Sequence, residues 1–340
     1  MAEGSLMATI HDVAEDAGVS PTTVSRYLNN RIELPAATAA RIDASIAKLD
    51  YRPNLLAKRL STGKTEAIGL VAPEIGNPFF AELASAVEDE AENHGYAVFM
   101  SSTHGRRERE IACLNRLSDR HVDGLIMMTN APDDGSLARL IAGHENVVMI
   151  DEEIPGVNAP RVYADNISGG YLAGRHLIEM GHTRIGMIGG PEGLFSVGER
   201  RAGFERALAE AGLALAPQDV FLGEYTRDFG RAAALDLLAR ADRPTAVFAQ
   251  SDYNAIGILG ALRELGLAAP KDLSIVGFDD MPFAELTSPA LTTIRQPIAA
   301  IGRLGFQTLL ALLNKQDVAD VTQLPVELVI RDSVARPPKD

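Results

Sequence analysis

The sequence predicts two kinds of structure in one chain: an all-α helix-turn-helix headpiece at the N-terminus, then a two-lobed α/β body with parallel, doubly wound sheets. Three observations predict this. Residues 9–30, TIHDVAEDAGVSPTTVSRYLNN, hold two short helical patterns joined at a glycine. From Ala67 onward, apolar runs of strand length alternate with helical stretches, the rhythm of parallel strands linked by crossover helices. A length of 340 residues with 46% hydrophobic content exceeds one compact domain and supplies real cores.

The first helix begins at Thr9, which can cap it reciprocally with Asp12, and Ile10, Val13, Ala14 and Ala17 then share one face. Gly18 ends it. Ser20 stands at an N-cap position, Pro21 at the first helical position where its missing N–H costs nothing, and Val24 and Leu28 continue the apolar face. Between the buried positions lie Thr22, Thr23, Ser25, Arg26 and Asn29, short hydroxyls and a guanidinium suited to base edges and phosphates in a major groove. A plain helical hairpin satisfies the same spacing. Ile42, Ile46 and Leu49 give a third helix, ended by Tyr51 and Pro53. The helical stretch Asn54–Leu60 is too short to hold itself in water, so its order must come from DNA or a partner chain.

In the body, AIGLVAP, YAVFMSS, DGLIMM, NVVMID, RIGMIGG, TAVFAQ and LSIVGF read as strands. Helical patterns lie between them at 81–94, 106–120, 169–180, 197–211 and 227–241. Ligands of open parallel sheets bind beyond the carboxyl ends of the strands, and polar residues follow these runs: Asp151, Gly189 and Gly190, Gln250, Ser251 and Asp252, then Asp279 and Asp280. Carboxylates accept sugar hydroxyls and aromatic faces cover C–H surfaces, so Phe79, Phe80, Phe195 and Tyr225 join them as candidates. For Ser251 or Asp252 a helix cap is the equal alternative, and for Asp279 or Asp280 a turn.

A formal charge of −14 looks wrong for a DNA binder until it is split along the chain. Residues 8–60 carry seven basic side chains (Arg26, Arg31, Arg41, Lys48, Arg52, Lys58, Arg59) against six acidic ones, so the acidity belongs to the body. An acidic body repels DNA and leaves contact to the headpiece, with steep salt dependence. The lone Cys113 excludes disulfides and multi-thiolate zinc sites within one chain. His176 and His182, six apart, do not share a helix face, and no ligand cluster supports a metal. No G-x-S-x-G or comparable frame presents a nucleophile, so neither catalysis nor a cofactor is expected. Without an apolar run of about 18 residues or a signal-peptide pattern, a cytoplasmic setting and no membrane partner are expected.

The wording D-V-A-x-x-A-G-V-S-x-x-T-V-S-R-x-L-N resembles the headpiece of the LacI/GalR family of bacterial transcription regulators, and the resemblance runs from about Ala8 to Arg336. It implies a DNA-binding headpiece over 8–53, a hinge over 54–66 and an effector-binding and dimerisation domain over 67–336 with the fold of type I periplasmic sugar-binding proteins. Crossings near Ala164, Leu291 and Leu324 then give one lobe from 67–164 and 291–324 and another from 165–290 and 325–336.

On the DNA side the resemblance sets Pro21 and Thr22 at the first variable recognition-helix positions. Arg26 is the base-reading or phosphate-fixing arginine, and Leu60 is a minor-groove wedge beside Asn54, Ala57 and Lys58. Thr9, Ser20, Thr23, Ser25 and Asn29 complete the candidate DNA contacts. The matching effector positions are Phe79, Phe80, Asp151, Ser196, Arg200, Tyr225, Asp252, Asp279 and Gln296, with Phe195 beside them. The stretch GGPEGLFSVGER departs from many relatives by presenting Leu194 and Phe195, which implies an effector other than purines or galactosides.

The expectation is an effector-controlled repressor, a homodimer on a pseudo-palindromic double-stranded operator, with a carbohydrate as effector and either induction or corepression as its sign. A solute-binding protein without regulatory role and a sugar-processing enzyme are the alternatives.

Overall fold

Helix α1 (Ile10–Ala17) starts at a reciprocal cap: the Thr9 amide donates to Asp12 Oδ2 at 2.7 Å, and the Asp12 amide donates back to Thr9 Oγ1 at 3.4 Å. Gly18 closes it in the left-handed region at φ +65°, which a side chain would resist. In α2 (Pro21–Leu28) the Thr23 amide donates to Ser20 Oγ at 3.1 Å. The third helix, α3 (Ala36–Lys48), packs chiefly against α1. Val13, Ala14, Ala17, Val24, Ile42 and Tyr51 form the buried centre. Two polar ties fix the arrangement: Tyr27 Oη donates to Asp43 at 2.9 Å, and Lys48 pairs with Asp16 at 2.6 Å. The computed structural model describes residues 8–28, 32–51 and 63–337 and divides the chain into two units between Thr65 and Glu66.

The second unit holds two six-stranded sheets. Its elements, in chain order, are β1 (Ala67–Ala72), α4 (Pro78–Asn93), β2 (Ala97–Ser102), α5 (Arg107–Ser118), β3 (Gly124–Met127), α6 (Ser136–Ile141), β4 (Val147–Ile150), β5 (Arg161–Ala164) and α7 (Asn166–Glu179). There follow β6 (Ile185–Gly189), α8 (Phe195–Glu210), β7 (Val220–Leu222), α9 (Arg227–Leu238), β8 (Ala246–Ala249), α10 (Asp252–Glu264), β9 (Ser274–Asp279), β10 (Thr292–Arg295), α11 (Ile298–Leu313), β11 (Val321–Leu324) and β12 (Glu327–Val329). The first sheet runs β11-β5-β4-β3-β1-β2, all parallel. The second runs β12-β10-β9-β8-β6-β7, with only β12 antiparallel.

Burial explains the composition of the central strands. β1 and β9 are buried at every residue because helices cover both faces, so an unbroken apolar run is stable there. α11 approaches the first sheet through glycine: a Cβ at Gly305 would lie 2.2 Å from Ile150 Cδ1, and one at Gly124 would lie 2.7 Å from Leu309 Cδ1.

The crossing expected near Leu291 is corrected. β10 pairs in parallel with β9, Thr292 opposite Val276, so it extends the second sheet, and the chain passes to the first lobe at Gln296–Pro297. The short run TTIR, with a single apolar residue, carries no record of which sheet receives it. The other passages fall between β5 and β6 and between β11 and β12. The two histidines are structural: His182 bridges Thr245 Oγ1 at 2.8 Å and the Ala335 carbonyl at 2.9 Å, and burial holds both His176 and His182 below the usual imidazole range. Among the described residues no cluster of three or more His, Cys, Asp or Glu is arranged to hold a metal, and no helix is long and apolar enough to cross a membrane.

Candidate functional site

The outer face of α2 exposes Thr22 and Arg26 to solvent, with Pro21 and Ser25 half-buried beside them. At about 100° per residue these four fall within about 140° of arc, so one side of the helix carries them all. Three other expected DNA contacts have local duties. Thr9 Oγ1 donates to Asp12 at 2.8 Å within the cap, and Ser20 and Thr23 share a 2.8 Å hydroxyl contact at the start of α2. Asn29, Asn54, Ala57, Lys58 and Leu60 lie outside the described residues.

In the second unit, a cleft of about 390 Å³ opens at the carboxyl ends of both sheets, near the small end of the usual ligand-pocket range. The first lobe supplies Phe79 and Phe80 from the start of α4 and Asp151 after β4; the second supplies Arg200 from α8, Tyr225 before α9 and Asp279 at the end of β9. Phe79 and Phe80 meet edge to face at 5.1 Å. Asn77 caps α4, accepting from the Phe79 amide at 3.0 Å, and so sets both rings.

Arg200 is the best-held group of the cleft. Its Nε donates to Asn166 Oδ1 at 2.8 Å, its Nη1 donates to the Gln250 carbonyl at 2.7 Å, and its guanidinium lies 3.8 Å over the Phe278 ring. Asp279 accepts from Gln296 Nε2 at 2.8 Å and from Ser251 Oγ at 3.0 Å. Asp151 Oδ1 is buried without a hydrogen-bond partner, and an acceptor so placed is satisfied only by something that enters the cleft. Asp151 and Asp279 both adopt positive φ, +68° and +116°, so the backbone is strained at two carboxylates of one cavity.

Four expected effector residues do not line the cavity, and each is engaged with a partner within the protein. Asp252 Oδ1 accepts from Thr293 Oγ1 at 2.7 Å and its Oδ2 from the Met281 amide at 2.8 Å, so it braces the β9 end. Gln296 serves Asp279. Ser196 bonds to Glu152, and Phe195 packs edge-on against Tyr163 at 5.1 Å. For Ser251 both readings hold: it caps α10, accepting from the Tyr253 amide at 3.2 Å, and also lines the cleft. Sequence reasoning missed Glu152, Asn130, His104, Glu74 and Glu224. The last four stand on loops, where periodicity carries no signal.

Burial, together with the neighbouring Asp151 carboxylate, pushes Glu152 up to about 8, opposed by Ser196 and Arg200. Burial likewise pushes Asp279 up to about 6, held back by Arg200. Both groups bind their protons more tightly folded than unfolded, so their stabilisation is complete below the ordinary carboxylate range and is lost as pH rises through about 6 to 8. The main melting transition of the full chain is expected to fall by several degrees between pH 6 and 9. Glu152→Gln, neutral throughout, is expected to reduce that slope, and an unchanged slope in the variant refutes the assignment.

Residues 9–54 match the family described as bacterial regulatory proteins, lacI family, and residues 175–334 match a periplasmic binding protein-like domain. The chain is 37% identical over 336 residues to the HTH-type transcriptional repressor PurR of Proteus mirabilis (strain HI4320), covering 98% of each chain. The structure of the lac repressor dimer bound to operator and the anti-inducer ONPF aligns at a TM-score of 0.85 and 28% identity, over 97% of this chain and 100% of that one. A transcriptional regulator CelR-cellobiose complex aligns at 0.73 and 31% identity, over 96% and 99%. These relatives are regulators of transcription rather than enzymes. The chain belongs to the LacI family and is a DNA-binding transcriptional repressor.

Proposed function

We propose that the repressor acts as a homodimer on a pseudo-palindromic operator, and that a carbohydrate bound in the interlobe cleft controls its affinity for that operator. The observation that carries this reading is the facing of Asp151 from one lobe with Asp279 and Arg200 from the other around one cavity edged by Phe79 and Phe80. Carboxylates that accept and a guanidinium that donates match the alternating hydroxyls of a sugar, and the rings cover its C–H face. The cellobiose complex of a relative 31% identical supports the ligand class, and the lac repressor dimer on its operator supports the assembly. In this reading Pro21, Thr22, Ser25 and Arg26 meet the major groove, while Asn54, Ala57, Lys58 and Leu60 complete the contact in the central minor groove. A ligand that prefers one lobe arrangement changes operator affinity by its differential binding to the two.

A thermal-shift series with mono- and disaccharides, cellobiose included, and with purine bases tests the ligand class. A sugar at about 100 times its Kd adds roughly 2.7 kcal/mol of stability. Asp279→Ala removes a carboxylate from the cavity wall and is expected to weaken that sugar at least a hundredfold. Stabilisation by purines and by no sugar, or an unaltered sugar titration in Asp279→Ala, contradicts the proposal.

A further inference from the structure

We infer that Glu152 is a positioning residue for the cleft: from the first lobe it caps α8, the second-lobe helix that carries Arg200, so closing the lobes and setting Arg200 are one event. The inference rests on the reading of the cleft as the effector site. Its geometric basis is separate.

Helix α8 has no cap of its own. Its N-cap residue is Leu194, whose side chain cannot accept a hydrogen bond, so the first-turn amides need an acceptor from elsewhere. Glu152 supplies it. The Ser196 amide donates to Glu152 Oε2 at 3.2 Å, and Ser196 Oγ donates to Glu152 Oε1. Ser196 is the second residue of the helix, where side-chain caps act. Both residues are buried, at 2% and 1% exposure, so water does not substitute for the carboxyl. The contact joins residues 44 apart in sequence, one in the loop after β4 of the first sheet and the other in the helix that follows β6 of the second.

Neighbouring contacts make the junction a seam rather than a single bond. Tyr163 of β5 meets Phe195 of α8 edge-on at 5.1 Å. A Cβ at Gly193, just before the helix, would stand 3.5 Å from Pro132 of the first lobe. On one side of the seam, Asp151 adjoins Glu152 and faces the cleft; on the other, Arg200 lies one turn beyond Ser196 on the same helix face. A ligand held between Asp151 and Arg200 therefore spans the two halves of the latch. The ionisable groups facing Glu152 are Asp151, Arg200 and Tyr225, which places the latch inside the charge cluster of the site.

Hydrogen exchange on the full-length protein, without ligand, tests this directly. In Glu152→Ala the amides at the start of α8 are expected to exchange roughly fivefold or more faster, the size of a lost helix cap. Small-angle scattering is expected to show a larger radius of gyration. Glu152→Gln keeps an acceptor oxygen and is expected to restore most of the protection. Ser196→Ala, which keeps the amide contact, is expected to give an intermediate rate. Faster exchange spread evenly over the body in Glu152→Ala, or unchanged exchange at α8 in both Glu152→Ala and Ser196→Ala, overturns the inference. If the α8 response is as expected while no sugar shifts the melting temperature, the latch stands and the carbohydrate reading falls.

Discussion

Arg26→Ala is expected to weaken specific operator binding by roughly 30-fold or more while leaving the sugar-induced thermal shift intact. Arg26 is exposed near the end of α2, on the face that also bears Thr22, and lies outside the buried core of the headpiece. Its loss therefore subtracts a DNA contact without subtracting packing. A base- or phosphate-reading arginine contributes about 1–3 kcal/mol, and a homodimer uses it twice, so the affinity falls by roughly 30-fold to ten-thousandfold. The near balance of charge in residues 8–60 sharpens the effect, because few other cations compensate. Fluorescence anisotropy with operator DNA, beside a melting curve with and without sugar, checks both halves. A parallel loss of sugar response would show that Arg26 supports the fold.

Gly170→Ala is expected to have the largest structural effect, about 3 kcal/mol or more of lost stability. Helices α7 and α8 cross on a seam of small residues. A Cβ at Gly170 would lie 1.9 Å from the Arg200 carbonyl oxygen, and one at Gly203 would lie 1.9 Å from the Ile167 carbonyl oxygen. These are backbone atoms, so no rotamer change relieves the overlap. The helices must part, and the displaced backbone is that of Arg200 itself, so sugar binding falls with stability. Gly198→Ala on the same helix is the control. Its Cβ would meet nothing within 4 Å, and removing a helical glycine there is expected to stabilise by about 0.5–1 kcal/mol. Chemical denaturation of the two variants compares them, and equal effects would contradict the seam.

What the sequence revealed follows the range of the interactions. The headpiece was legible to single residues because its signals are local: the Thr9 cap with Asp12, the left-handed Gly18 and Ser20 before Pro21 act within three positions. The buried strands were legible for the same reason, since double-sided burial demands unbroken apolar runs. The strands β5, β7, β10, β11 and β12 escaped the strand reading: β7, β11 and β12 are nowhere fully buried, and β5 and β10 carry polar residues (Arg161; Thr292, Thr293 and Arg295) where β3, β4 and β8 are wholly apolar or glycine.

At the cleft, the rule of strand ends brought forward Asp151 and Asp279, and Arg200 entered through the resemblance alone. That resemblance could not tell a residue facing the ligand from one holding its neighbour. Asp252 and Gln296 are of the second kind, turned to Thr293, Met281 and Asp279. Glu152 was invisible because its meaning depends on Ser196, which only the packing of two lobes brings to it.

Operator affinity in this repressor is proposed to be set by the occupant of the cleft. The most direct measurement selects DNA bound by the full-length protein from a random pool, then titrates the selected duplex by anisotropy with and without the sugar that most raises the melting temperature. The expected result is a two-fold related sequence whose affinity changes at least tenfold with the sugar in the native protein and not at all in Asp279→Ala. A selected site whose affinity is the same with and without a sugar that demonstrably binds would contradict it.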